Sequence, residues 1–166
     1  MNIVKLFTPL MILTLELWGQ SPIDRALERY NSGVVPYVST DLALEWQQKD
    51  SVIFLDTRAF KEFQVSHIPG AKFVGYDEFD TAKIKRSKQQ DTRPIVVYCS
   101  IGVRSEQIGH KLIQLGFKQV YNLYGGIFLW YNQGKDLFDS DNFPTRDIHG
   151  YDQNWAKYIK GGTPTF

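Results

Sequence analysis

Cysteine is almost absent from this sequence: Cys99 is the only one in 166 residues. One thiol cannot form an intramolecular disulfide and cannot supply a zinc site made of several thiolates. Net charge is also small, because 19 Lys and Arg side chains nearly balance 18 Asp and Glu. This balance gives no electrostatic reason to expect nucleic acid or an anionic membrane as partner. The fold must therefore rest on an apolar core, and the length suits one domain with short extensions.

Long hydrophobic runs are scarce as well. The apolar stretch of residues 6–18 follows Lys5, contains Glu16 and ends at Gly19. It is too short to span a bilayer, which needs about 20 apolar residues. A positive start, a short apolar stretch and a small residue at its end are typical of a secretory signal peptide. We therefore expect a leader over residues 1–20, a periplasmic or secreted protein, and no stable membrane insertion after leader removal.

Two readings of this N-terminal segment stay open. If the leader is not cleaved, the protein is cytoplasmic and the segment is a packed or disordered helix. If the protein is exported, its compartment is oxidising, and chemistry explains a solitary thiol there better than a missing disulfide partner.

Strands and helices alternate along the chain. Residues 52–55 and 95–98 are continuous apolar runs (Val-Ile-Phe-Leu and Ile-Val-Val-Tyr), which is the pattern of strands covered on both faces. Helical patterns follow several of the strands, including one after residue 103 with Ile108, Leu112 and Leu115 on one face. This order predicts an α/β fold with a central, mostly parallel sheet and helices on both faces. Near the C-terminus, Tyr151, Trp155, Tyr158 and Ile159 recur at helical spacing and predict a segment that docks on the domain.

Cys99 lies where the second apolar strand ends and a loop leads into a helix. Backbone N–H groups and the positive end of a helix favour thiolate over thiol, so this cysteine is a candidate nucleophile. Gly102 allows a tight loop, and Arg104 either supplies a positive charge that suits oxyanions or turns outward to brace the loop. The alternative is that Cys99 is only a small buried apolar residue, since free cysteine is often buried.

Three separated motifs resemble the rhodanese-like family of sulfurtransferases. They are Leu55-Asp56-Thr57-Arg58 followed by Glu62-Phe63, Ser66-His67-Ile68-Pro69-Gly70-Ala71, and Cys99-Ser100-Ile101-Gly102-Val103-Arg104-Ser105. The resemblance covers residues 36–135. It divides the chain into the leader, an N-terminal extension (21–35), the rhodanese-like domain (36–135) and a C-terminal extension (136–166) that packs on the domain.

The resemblance implies a sulfurtransferase that carries sulfur on Cys99 as a persulfide. The implied active-site loop comprises Ser100, Ile101, Gly102, Val103, Arg104 and Ser105, with Arg104 as its charged member. Asp56, Arg58 and His67, together with Glu62, are implied to support the loops around the site. The resemblance requires no metal or other cofactor. It implies a small sulfur donor such as thiosulfate or a persulfide, and a thiol, a cyanide-like molecule or a protein as acceptor.

Two other functions remain open on the same scaffold. Related phosphatases and arsenate reductases resemble a pattern with five residues between cysteine and arginine, whereas four separate Cys99 from Arg104. The shorter loop suits a single sulfur atom better than a tetrahedral oxyanion. The third possibility is a non-catalytic binding module that uses the aromatic C-terminal extension.

Overall fold

The computed structural model describes residues 21–80, 84 and 92–166. The predicted leader over residues 1–20 lies outside these residues and stays a prediction. Within the described ranges, the structure contains no helix with the length and apolar character needed to cross a membrane.

The described elements are short and follow the predicted alternation. The helices are α1 (Pro22–Tyr30), α2 (Thr40–Gln48), α3 (Phe60–Val65), α4 (Val103–Gln114), α5 (Gly126–Asn132) and α6 (Gln153–Ala156). The strands are β1 (Tyr37–Val38), β2 (Ile53–Asp56), β3 (Lys72–Phe73), β4 (Ile95–Tyr98), β5 (Val120–Leu123), β6 (Leu137–Phe138) and β7 (Pro144–Thr145).

The first five strands form one sheet in the order β1-β5-β4-β2-β3, and every neighbouring pair is parallel. Strand β4 lies in the centre, where it pairs with β2 from Ile53 opposite Ile95 to Asp56 opposite Tyr98. Strands β6 and β7 form a separate antiparallel pair. The predicted α/β class with a parallel central sheet is confirmed.

Successive side chains of a strand point to opposite sides, so the sheet has two faces with separate side chains. Helices cover both of these faces. One core cluster joins alternate residues of β2 and β4 to helices α2 and α5; it includes Ala43, Phe54, Val96, Tyr98, Phe128 and Trp130. The other joins the remaining residues of these strands to α4; it includes Leu55, Ile95, Val97, Ile108 and Leu112. Strand β4 is therefore buried on both faces, as its continuous apolar sequence predicts.

The C-terminal extension packs against the first of these clusters through Trp155, Tyr158 and Ile159. Asn132 at the end of α5 fastens it, donating from Nδ2 to Tyr158 O at 2.8 Å and accepting from Lys160 N at 2.6 Å. Tyr151 lies outside the one helix of this extension, although its spacing from Trp155 and Tyr158 is helical.

The side chain of Asp152 determines where this helix starts. The Asp152 side chain accepts from Asn154 N at 2.7 Å and from Trp155 N at 3.1 Å, so it caps the helix and starts α6 after Tyr151. Tyr151 itself has φ of 66°, which is left-handed backbone outside any right-handed helix. Only one turn, α6, is formed.

Candidate active site

Cys99 follows directly after the central strand β4 and is 2% exposed. Helix α4 begins four residues later at Val103, so the chain must turn sharply between them. Gly102 makes this turn with φ of 115°, a conformation that L-residues with side chains rarely adopt. Asn31 from the N-terminal extension also holds the turn, because its Nδ2 donates to Gly102 O at 2.9 Å. Cys99 therefore sits at the carboxyl end of the sheet, where α/β proteins bind ligands.

Two hydrogen-bond donors approach the sulfur of Cys99. Gly102 N donates to Sγ at 3.2 Å, and Ser105 Oγ lies 3.6 Å from Sγ. The Ser105 hydroxyl has a second acceptor, Asn122 Oδ1, at 2.7 Å. Because a hydroxyl carries one proton, Ser105 donates to either the sulfur or Asn122 at one time. The sequence did not single out Asn122, whose side chain faces the loop from the neighbouring strand β5.

The surroundings of Cys99 favour the thiolate. Burial by itself raises the pKa of the Cys99 thiol, but the charge of Arg104 and hydrogen bonds from Ser105 and Gly102 outweigh it and lower the pKa below the ordinary value. A cysteine that served only as a small apolar residue would have no need of donors at its sulfur. The geometry therefore favours a reactive role for Cys99.

The carbonyl side of the loop faces helix α5. Ile127 N donates to Cys99 O at 2.9 Å, and Phe128 N donates to Ser100 O at 3.0 Å. These amides belong to the first turn of α5, which has no partners for them within the helix. Anchoring both carbonyl oxygens on α5 fixes the orientation of the peptide groups that surround the sulfur.

Arg104 is paired with an acidic residue from α3. Its Nη1 donates to Glu62 Oε2 and its Nη2 to Glu62 Oε1, each at 2.8 Å, and Nη2 also donates to Ser100 Oγ at 3.0 Å. Burial raises the pKa of Glu62, but Arg104 outweighs this and holds that pKa below its usual range. The ring of Tyr151 covers the guanidinium, with Cζ 4.6 Å from the ring centroid. Arg104 thus braces the loop through Glu62 and Ser100, and it also lines the cavity, where its charge lowers the pKa of the Cys99 thiol.

Asp56 and Arg58 form an ion pair with both side chains fully buried. Arg58 Nη2 donates to Asp56 Oδ2 and to Ser66 O, each at 2.6 Å. The guanidinium also lies 5.8 Å from the ring centroid of Tyr98, the residue before Cys99. Neither Asp56 nor Arg58 lines the cavity at the cysteine. The structure thus places this pair behind the site, where it ties β2 to the segment that follows α3.

His67 does not reach the cysteine cavity either. Its ring stacks on Phe63 with centroids 4.1 Å apart, and Nδ1 lies 3.2 Å from Phe63 O. Its backbone forms two hydrogen bonds with the backbone of Phe138, with N to O distances of 2.8 and 2.9 Å. Burial in this packed turn lowers the pKa of His67, which disfavours the charged form of the ring. This environment is structural rather than catalytic.

A cavity of about 170 Å³ opens beside the cysteine; its lining residues are Cys99, Ser100, Ile101, Val103, Arg104, Tyr151 and Trp155. Most of the predicted loop lines it, although Ile101 is 2% exposed and also packs in the core. Tyr151 and Trp155 come from the C-terminal extension, which the sequence predicted to dock on the domain or, in the alternative interpretation, to bind a partner. The spacing of these residues predicted a docking segment but not the part of the domain on which it packs. Within the described residues, no group of three or more His, Cys, Asp or Glu could hold a metal ion.

The fold and this site define a class: an α/β protein with one thiolate-favouring cysteine in a tight loop at the end of a parallel sheet. A family model described as "Rhodanese-like domain" matches residues 39–133, more than half of the chain. The chain therefore belongs to the rhodanese-like domain family.

Individual relatives agree with this family. The chain is 30% identical over 88 residues to thiosulfate sulfurtransferase GlpE of Coxiella burnetii, covering 53% of this chain and 79% of that protein. It is 36% identical over 89 residues to tRNA uridine(34) hydroxylase of Acinetobacter baumannii, covering 50% of this chain and 28% of that protein. A solved thiosulfate sulfurtransferase from Pseudomonas aeruginosa has a TM-score of 0.56 at 23% identity, covering 75% of this chain and 23% of that one, which shows the shared fold.

Proposed function

We propose that this protein is a sulfurtransferase that accepts a sulfane sulfur on Cys99 and passes it to a thiophilic acceptor. The observation that carries the proposal is the pair of donors at Cys99 Sγ, Gly102 N at 3.2 Å and Ser105 Oγ at 3.6 Å. Donors placed at a sulfur atom stabilise both a thiolate and the anionic persulfide that replaces it. The relatives named thiosulfate sulfurtransferase support this reading.

The proposed reaction has two displacement steps. In the first, the Cys99 thiolate attacks the outer sulfur of the donor, the donor's S–S bond breaks, and the leaving group takes the electron pair; from thiosulfate it is sulfite. In the second, a nucleophile attacks the outer sulfur of the persulfide and restores the thiolate; cyanide gives thiocyanate. Neither step changes the number of protons on the protein when the thiolate is the starting form.

The protein contributes to this chemistry by stabilising the negative charge on the sulfur. Negative charge stays at or next to Sγ throughout, so the lowered pKa of Cys99 serves every stage of the cycle. The loop peptides are held from behind by α5, and Arg104 is held by Glu62. Donors that are fixed before reaction need no reorganisation as the sulfur arrives. Small sulfur donors and thiol, cyanide-like or protein acceptors all fit this scheme.

The arrangement of Arg104 argues against a phosphatase or an arsenate reductase. In such an enzyme the arginine fork must hold the oxygens of a tetrahedral oxyanion. Here both terminal nitrogens of Arg104 donate to Glu62, and only four residues separate Cys99 from Arg104. The hydrogen bonds from Gly102 N and Ser105 Oγ to Cys99 Sγ, together with the lowered pKa of the thiol, disfavour a non-catalytic binding module, which needs neither.

The test is the intact mass of purified protein after incubation with thiosulfate, with a low-molecular-weight persulfide and with no donor. We expect a gain of one sulfur atom that excess cyanide removes. The control is Cys99→Ser, which keeps nearly the same shape and should gain nothing. Because Cys99 is the only cysteine, the modified residue is unambiguous.

Two results would contradict the proposal. A folded protein that gains no sulfur from any donor would favour the binding module. Hydrolysis of an aryl phosphate that Cys99→Ser abolishes would favour the phosphatase.

A further inference from the structure

Arg104 is the one cationic side chain among the described residues that line the cysteine cavity. Glu62 neutralises it through two hydrogen bonds of 2.8 Å, and the ring of Tyr151 covers its face at 4.6 Å. The one cationic side chain that a doubly charged donor would meet in this cavity, beside an anionic thiolate, is thus already paired with a carboxylate. Moving such a donor out of water without a partner for its charge is unfavourable.

Apart from Cys99, Ser100 and Arg104, the cavity wall is aromatic and aliphatic. Tyr151 and Trp155 of the C-terminal extension line the cavity together with Ile101 of the loop and Val103 at the start of α4. Trp155 is held between two other rings, with centroids 6.0 Å from Tyr30 and 5.8 Å from Tyr158. This wall suits an apolar group, since its rings have fixed neighbours and expose carbon surface.

The size of the cavity is also informative. Its volume is about 170 Å³. An apolar protein cavity of about 150 Å³ is large enough to bind benzene. The space beside Cys99 therefore exceeds what a single transferred sulfur atom needs and matches an organic group the size of a phenyl ring.

We infer that the natural class of sulfur donor carries an apolar organic group and less charge than thiosulfate, and that Tyr151 and Trp155 hold this group. The inference rests on the proposed function and specifies its substrate. It places the specificity of the site in the C-terminal extension, outside residues 39–133 matched by the family model.

Three probe donors separate charge from apolar size. Thiosulfate is a dianion, the methanethiosulfonate anion has one charge and a methyl group, and the benzenethiosulfonate anion has one charge and a phenyl group. Each reacts in the same way: the Cys99 thiolate attacks the terminal sulfur, the S–S bond breaks, and sulfite, methanesulfinate or benzenesulfinate leaves with the electron pair. All three leave the same persulfide on Cys99, so one mass measurement follows them all.

The experiment measures, for each donor, the second-order rate constant of persulfide formation on Cys99 in the full-length chain. We expect both thiosulfonates to exceed thiosulfate, and the phenyl compound to exceed the methyl compound. Trp155→Ala should lower the phenyl-to-methyl ratio by about tenfold, the lower end of the discrimination that a hydrophobic pocket achieves. Comparing ratios between variants cancels the intrinsic reactivity of the donors.

The matched control is Trp46→Ala. Trp46 packs on Tyr121 with centroids 5.4 Å apart and does not line the cavity, so its loss should leave the phenyl-to-methyl ratio unchanged. If Trp155→Ala does not give a native circular dichroism spectrum, Tyr151→Ala replaces it, because Tyr151 is 43% exposed and its truncation opens no core.

The outcomes distinguish this inference from the proposed function. Faster loading from thiosulfate than from both thiosulfonates overturns the inference while the proposed function stands. The inference is also overturned, and the proposed function stands, if the phenyl-to-methyl ratio is the same in Trp155→Ala (or its replacement Tyr151→Ala) as in Trp46→Ala. No persulfide from any donor overturns the proposed function and the inference with it.

Discussion

Gly126 at the start of α5 touches the back of the cysteine loop, and replacing it tests how strictly that contact positions Cys99. A β-carbon at position 126 would lie 2.6 Å from Ser100 O and closer still to Cys99 O. Carbon-to-oxygen contacts in proteins are about 3.3 Å or longer. Gly126→Ala must therefore push the helix and the loop apart. This would weaken the bonds from Ile127 N and Phe128 N to the loop carbonyls.

Gly134 provides a matched control for the expected magnitude. Both glycines have positive φ, 55° at Gly126 and 74° at Gly134, so alanine costs about 1–2 kcal/mol of left-handed strain at either position. Nothing lies within 4 Å of a β-carbon at Gly134, whereas overpacking adds about 1–3 kcal/mol at Gly126. With a urea m-value of about 2 kcal/mol/M, this difference shifts the midpoint of unfolding by about 0.5–1.5 M.

Urea unfolding and sulfur loading should be measured on both variants. We expect Gly126→Ala to unfold at lower urea than Gly134→Ala and to load sulfur more slowly at concentrations where both are folded. The decrease in loading follows because Gly102 N and Ser105 no longer lie where Sγ needs them. If both variants unfold at the same urea concentration and load sulfur equally fast, the contact between α5 and the loop does not position the site.

Two further predictions concern charge. Asp56→Asn leaves Arg58 buried without its counter-charge and should lower the free energy of unfolding by about 3–5 kcal/mol, whereas Glu45→Gln in an exposed pair should cost less than about 1 kcal/mol. Similar losses in urea unfolding of the two variants would contradict this. Because the folded pKa of Cys99 is lowered, its thiolate should form with its midpoint at a lower pH in the folded protein than in the urea-unfolded chain. The ultraviolet difference between wild type and Cys99→Ser measures this midpoint, and a value equal to that of the urea-unfolded chain would contradict the structure.

Local sequence patterns were enough to predict the sheet and the position of the cysteine. The continuous apolar run of residues 95–98 predicted a strand buried on both faces, and β4 is the central strand of the sheet. Gly102 and the apolar face of α4 predicted the turn from strand to helix. These features depend on residues close together in the chain, whose preferences a short window of sequence records.

Contacts between segments that are distant in the chain were harder to predict from the sequence. The sequence assigned Arg104 a charge at the site and suggested a bracing role for Glu62, but it could not show that the two neutralise each other. Their side chains are 42 positions apart, and only the packing of α3 against the loop brings them to 2.8 Å. Tyr151 is at helical spacing from Trp155, yet the cap at Asp152 leaves it outside the helix with φ of 66°.

By itself the sequence determined that this protein has one cysteine, a candidate nucleophile, and that it stands at the end of a buried strand. Strand burial, loop curvature and the start of a helix depend on residues close together in the chain. Neighbouring residues were therefore enough to identify the sulfur atom of Cys99 as the candidate nucleophile. Only the tertiary structure decided what surrounds that atom: a neutralised arginine and an aromatic wall from residues about 50 positions further along the chain. The physical reason is that charge compensation and cavity shape arise from side chains that meet only after folding.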